Sequence, residues 1–137
     1  MAVEIPATPT DVTPQWVTEA LASAGAIDAD AVIDAVTVTD IGEGTGIFGQ
    51  IARLDLGYGA GSGPERVVLK LACTEPANLE VAFALGIYRR EVAFFEHIGP
   101  RSPMRTPVCH VAAMGDDGRF VIVMEDLSAG YDVGDQV

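Results

Sequence analysis

Lys70 stands in the run VVLKLAC, between apolar neighbours on both sides. If that run is a strand, Val68, Lys70 and Ala72 point one way, and Val67, Leu69, Leu71 and Cys73 the other. A lysine in the middle of an apolar strand loses hydration unless it has a partner or a route to water. Glu91 has the matching problem, because it falls in the centre of a stripe made by Ile87, Phe94, Phe95 and Ile98. Two opposite charges, each misplaced on its own element, are best explained by each other. The alternatives are a lysine that snorkels at a sheet edge and a glutamate at the margin of its stripe. A third chemical feature is Gly-Thr-Gly-Ile-Phe-Gly at residues 44–49, a literal G-x-G-x-x-G. Glycines at that spacing allow backbone amides to close around phosphate oxygens. A lysine held beside such a loop can reach the same oxygens.

The element after the glycine loop decides its kind. In a dinucleotide-binding unit the third glycine opens a helix whose N-terminus holds the pyrophosphate. Here Ala52, Leu54, Leu56 and Tyr58 alternate with Ile51, Arg53, Asp55 and Gly57, which is the period of a strand. The ribose-binding acid expected about 20 residues further on is replaced by Lys70. Gly-Lys-Ser/Thr is absent, so the loop is not of the Walker type. Before it, Val32, Ile33, Val36, Thr37, Val38, Thr39 and Ile41 form a β-branched run. The loop therefore joins two strands of an antiparallel hairpin. After the flexible turn GYGAGSGP at 57–64 comes the strand bearing Lys70.

Other elements must hold these groups in place. Residues 1–12 read as a loose arm. Thr13 and Pro14 start a helix, N-cap and first turn, that runs to about Ala24 and stops at Gly25. Trp16, Val17, Ala20, Leu21 and Ala24 share one face of it. Residues 75–98 read as one long helix, ended by Gly99 and Pro100. Strands over 108–114 and 119–124 are joined by a turn of Gly115, Asp116, Asp117 and Gly118. The expected fold class is α+β: a five-stranded antiparallel sheet with one long packed helix and a short N-terminal helix.

The totals narrow the function. With 137 residues, one domain with one real core is expected. The net charge is −12, from 8 basic and 20 acidic residues. A field of that sign repels phosphate backbones and anionic lipid, so neither nucleic acid nor a membrane is an expected partner. Cys73 and Cys109 form no C-x-x-C and read as small buried hydrophobes in a reducing compartment. No apolar run approaches the ~20 residues that span a bilayer. The acidic start MAVEIPATPTD carries no positive n-region. A cytoplasmic location is the expectation.

A glycine loop between two strands, a lysine on the third, and a helix with an inward glutamate resemble the N-terminal lobe of protein-kinase-like enzymes. The chain is most similar to the aminoglycoside phosphotransferase / choline kinase-like superfamily, in its ecdysteroid-kinase-like branch. The resemblance is carried by IGEGTGIFGQIARLDLGY, ERVVLKL, LGIYRREVAFFEHI, RTPVCHVA and FVIVMEDLSAGYDVGDQ, over roughly residues 30–136. It implies that Gly44, Thr45, Gly46 and Gly49 form a phosphate loop. Lys70 would be the phosphate lysine and Glu91 its helix partner. Met124, Glu125, Asp126 and Leu127 would be a hinge that meets adenine through backbone groups.

The resemblance further implies ATP as cofactor and transfer of its γ-phosphoryl group to a hydroxyl of a small molecule. Residues 13–127 would be the lobe, and 128–137 the hinge and the start of a second lobe absent from this chain. That second lobe supplies the catalytic base and the Mg²⁺ ligands in the family. This sequence has one asparagine, Asn78, ahead of the hinge, and His97 and His110 begin no H-x-D. On this reading the chain alone is inactive and binds ATP weakly or not at all, and Mg²⁺ comes only with the second lobe. Expected partners are nucleotide, a second-lobe polypeptide or another copy of the chain. The alternative is a non-catalytic nucleotide- or partner-binding module.

Overall fold

The protein is described by a computed structural model over residues 4–41 and 47–128. Helix α1 spans Pro14–Ser23. The Thr13 side chain accepts from the Trp16 amide at 3.1 Å, so the expected cap is in place. Val17, Ala20 and Leu21 form its buried face. The N-terminal stretch, expected as a loose arm, is docked over residues 4–12. The Trp16 indole N–H donates to the Glu4 carbonyl at 2.7 Å, and Gln50 donates to the Ala7 carbonyl at 3.0 Å. Pro9–Asp11 make a 3-10 turn and Val12 is buried. A half-buried indole N–H needs an acceptor, and the arm's backbone provides it.

Five antiparallel strands make the sheet: β1 Val32–Asp40, β2 Gly49–Ala60, β3 Arg66–Ala72, β4 Cys109–Met114 and β5 Phe120–Glu125. Their spatial order is β1-β2-β3-β5-β4, which puts β3 at the centre. Among the described residues the fold is therefore α+β, with a five-stranded antiparallel sheet and three helices. Register sorts the side chains cleanly. Ala52 lies opposite Leu69, Leu54 opposite Val67, and Leu71 opposite Val121. Most of these residues pack with α1 in one apolar cluster. On the other face Ile51 lies opposite Lys70, and Lys70 opposite Ile122. That face packs with Tyr88 and Val92 in a second, smaller cluster.

The long helix expected over 75–98 is broken. Helix α2 spans Pro76–Leu85 and α3 spans Ile87–Ala93, with Gly86 between them at φ 64°. A left-handed residue cannot continue a helix, and glycine adopts it without strain. A π-type turn over Phe94–Ile98 and a 3-10 turn over Gly99–Arg101 complete the segment. The inward stripe is also rotated from the expected one. Tyr88 and Val92 are buried, Glu91 and Phe95 are half-buried, and Phe94 and Ile98 are exposed. The break lets α3 take its own orientation on the sheet, which the spacing of a continuous helix could not supply.

Candidate functional site

The site begins with the alternation of β3. Val67, Leu69 and Leu71 are fully buried toward α1, which forces Val68 and Lys70 onto the α3 face. One turn of α3 carries Tyr88 and Glu91 toward the same place. Lys70 Nζ and Glu91 Oε1 form an ion pair, each side chain about three-quarters buried. The central strand and α3 are thus tied by the two charges that looked misplaced on their own elements. The pair borders a cavity of about 260 Å³ whose other walls include Ile47, Phe48, Gly49, Ile51 and Phe120. Water, a small anion or the end of a larger ligand can reach the ammonium group from there.

Of the expected phosphate loop, Gly44, Thr45 and Gly46 lie outside the described residues. Gly49 is described and opens β2. A Cβ at Gly49 would sit 3.4 Å from the Leu71 carbonyl and 3.7 Å from Lys70 Cε. The glycine therefore brings the exit of the loop against the lysine stem, and any longer side chain would press on it.

Tyr88 is absent from the residues that the sequence pattern singles out, yet it organises this corner. Its hydroxyl donates to the Phe48 carbonyl at 2.7 Å and accepts from the Cys73 amide at 3.2 Å. The Cys73 amide also reaches the Phe48 carbonyl at 3.2 Å, and Cys73 Sγ is 3.2 Å from the Tyr88 oxygen. The ring stacks on Phe120 at 4.7 Å and meets Phe83 edge-on at 5.9 Å. Burial pushes the phenol up to about 12, with the Cys73 hydrogen bond adding to it. The last residues of the glycine-rich connection, the end of β3 and the start of α3 are fixed to one another by this neutral hydroxyl. The i, i+3, i+4 spacing of Tyr88, Glu91 and Val92 is the signal that could have found it.

The hinge candidates are contiguous with the site but do different work. Met124 is half-buried opposite Val68 on the α3 face. The Glu125 amide donates to the Val108 carbonyl at 2.8 Å. Its carboxylate accepts from Arg105 at 3.0 Å through both oxygens and from the Val108 amide at 3.2 Å. The Glu125 amide and side chain thus strap the chain before β4. Asp126 accepts from the Ser128 amide at 2.8 Å. Burial raises its carboxyl, but the Ser128 hydrogen bonds and the charges of Arg53 and Arg66 outweigh that and hold it below the ordinary range. Among the described residues, Asp126 Oδ2 and Arg53 Nε are both buried without a hydrogen-bond partner. Leu127 is half-buried beside them.

The two thiols are free; Cys73 is buried and Cys109 half-buried. Burial, with Glu96 nearby, pushes Cys109 up to about 11, so it is an inert thiol at neutral pH. His97 lies in the π-type turn beside Glu96, and His110 is the second residue of β4. Among the described residues there is no group of three or more His, Cys, Asp or Glu side chains placed to hold a metal. No helix among them is long and apolar enough to cross a membrane.

In comparisons with known proteins, no protein-family model matches the chain, and neither a curated protein nor a solved structure does so. Fold and site together define, by geometry alone, an α+β domain whose central strand presents a glutamate-paired lysine beside the exit of a glycine-rich strand-to-strand connection.

Proposed function

We propose that this domain is the nucleotide-facing lobe of an ATP-dependent small-molecule phosphotransferase related to the aminoglycoside phosphotransferase / choline kinase-like enzymes. One observation carries the reading: Lys70 of the central strand is paired with Glu91 of α3 at a cavity walled by the end of the glycine-rich connection. The strand order and the antiparallel pairing fit it.

The residues present suit a polyphosphate. Glu91 pairs with the Lys70 ammonium at the wall of the cavity, and a phosphate oxygen entering that cavity would meet the ammonium's remaining N–H donors. Gly49 keeps the loop exit against the lysine stem. Val68 and Met124 lie opposite each other on the same face and offer an apolar floor, with residues 126–127 of the proposed hinge next in the chain. ATP, when bound, supplies the phosphoryl group to be transferred. On this reading the chain's own contribution is binding and charge stabilisation by Lys70 and the glycine-rich connection. The general base and the ligands for Mg²⁺ would come from a second lobe, covalent or separate.

The reading predicts no turnover by this chain alone. Incubated with MgATP and a panel of amino sugars and amino alcohols, it should release no ADP above buffer. Saturation-transfer NMR on the ATP protons should detect weak binding, with a Kd above the ~1 mM level that corresponds to about −4 kcal/mol, and Lys70→Ala should abolish it. Equal transfer to wild type and Lys70→Ala would contradict the reading. A second reading, a non-catalytic partner-binding module, draws on the apolar groups Phe94, Ile98, Met104 and Val108, which are exposed beyond α3 and ahead of β4. A chain that captures no nucleotide, alone or with a second-lobe polypeptide, yet binds a different partner through those groups would favour it.

A further inference from the structure

Strands β2 and β3 pair from Gly49 opposite Ala72 to Asp55 opposite Arg66. One residue beyond the first of those pairs stand Phe48 and Cys73, where the chain leaves the sheet for the glycine-rich connection. A single backbone bond closes that end of the ladder, from the Cys73 amide to the Phe48 carbonyl at 3.2 Å. The Tyr88 hydroxyl sits on the same two groups. It donates to the Phe48 carbonyl at 2.7 Å and accepts from the Cys73 amide at 3.2 Å. Of the two donors on the Phe48 carbonyl, the phenol is the closer, and the Cys73 proton is shared between two acceptors. The tyrosine is 2% exposed and its ring is stacked on Phe120 of β5, so packing fixes where the hydroxyl points.

Glu91 lies one helical turn further along α3. Phe48, Gly49, Lys70, Tyr88 and Glu91 all line the cavity of about 260 Å³. Helix α3 is therefore tied to the sheet at two places one turn apart. An ion pair joins it to the middle of β3, and a hydroxyl joins it to the end of the β2–β3 ladder. The two ties respond differently to an anion. A phosphate that draws on the Lys70 ammonium competes with Glu91 for it. The Tyr88 hydroxyl bonds backbone groups and the Cys73 sulfur, and that competition leaves it alone.

We infer that Tyr88 is a positioning residue for the ligand of this cavity: its hydroxyl holds the loop exit at Phe48 and Gly49 in register with Lys70 and Glu91, so that one ligand meets both. This role rests on the nucleotide reading of the cavity. Without the hydroxyl, Phe48 keeps only its rung to Cys73, and the loop exit and the ion pair are free to move apart. Pre-organisation of this kind acts on affinity, because the ligand no longer has to order the loop exit itself.

The test uses the chain's only lysine. Its ε-CH₂ group gives one NMR signal, which reports on the cation, while the amides of Phe48 and Gly49 report on the loop exit. Titrated with MgATP to roughly 10 mM, wild type should move all three along one curve. In Tyr88→Phe the curve should shift to ATP concentrations about fivefold higher, the size expected for one lost hydrogen bond. At equal displacement of the lysine signal, the two amides should also move less than in wild type. Loss of stability alone would not produce that split. Val17→Ala, a truncation in the α1-face cluster at a residue that does not line the cavity, should titrate as wild type. Circular dichroism checks that both variants are folded. A further reading needs no variant: the Tyr88 ring protons of wild type should follow the Phe48 and Gly49 amides. The role is overturned if folded Tyr88→Phe titrates as wild type, or moves the amides as far at equal lysine displacement. It is equally overturned if Val17→Ala is weakened as much as Tyr88→Phe, or if the wild-type ring stays unmoved while the amides shift. Those outcomes leave the nucleotide reading standing, whereas a wild type with no response to MgATP overturns that reading and this role with it.

Discussion

Under α1, Leu54, Val67, Leu69, Leu71, Val121 and Val123 are buried in one apolar cluster. Under α3, the same strands carry Arg53, Asp55, Lys70 and, just past β5, Asp126, with Glu91 arriving from the helix. Period-two alternation makes both faces at once. The α1 face holds the strands together by excluding water. The α3 face keeps charges half-desolvated, which stabilises a fold little and can cost it stability.

The largest expected effect lies on the α1 face. Leu69→Ala removes a fully buried side chain from the central strand and should cost about 2–5 kcal/mol in urea denaturation. A loss under about 1 kcal/mol, below the usual range for such a truncation, would mean that this face is not the main core.

Next comes Tyr88, which joins the faces' chemistry. Tyr88→Phe keeps the ring on Phe120 but removes the hydroxyl that holds the Phe48 carbonyl and the Cys73 amide. The expected cost is about 1–3 kcal/mol. It should also change the alkaline limb. The folded phenol titrates near 12, above its ordinary 10. Its neutral form therefore contributes stability that is full below pH 10 and is lost as pH rises toward 12. Denaturation midpoints across that window should fall less steeply for Tyr88→Phe than for wild type. Cys109 titrates in an overlapping range and is common to both proteins.

A smaller effect is expected at Asp126. Its depressed carboxyl contributes stability above the ordinary carboxylate range, lost as pH falls through its lowered value. Asp126→Asn should flatten the acid limb of a stability–pH curve, and an unchanged limb would show that Arg53 and Arg66 do not reach it.

Much of this comparison could be read from residue spacing. Alternation in VVLKLAC separates the two faces, and Lys70 and Glu91 reveal each other because neither suits its own element. The exit of the glycine loop into a strand, the Thr13 cap and the β4–β5 turn come from equally local chemistry. The break at Gly86 does not. A lone glycine in a helical run is tolerated at about 1 kcal/mol, so its presence does not show whether the chain uses its left-handed freedom. Tyr88 itself is hidden because its partners are backbone atoms of Phe48 and Cys73, 40 and 15 residues away. The docking of residues 4–12 and the Glu125 strap depend in the same way on backbone acceptors and donors that no side-chain pattern displays.

The central claim is that Lys70 and Glu91 are held for a phosphate ligand and contribute little to stability. It is tested most directly in the double variant Lys70→Met/Glu91→Leu, which replaces both charges with apolar groups of similar volume. Such replacements are often neutral or stabilising. The account predicts an unfolding free energy within about 1 kcal/mol of wild type. It also predicts that millimolar MgATP, which shifts the wild-type amide resonances of 44–49 and 124–127, leaves those of the variant unmoved. A variant that unfolds, or one that stays folded and shows the wild-type ATP shifts, would contradict it.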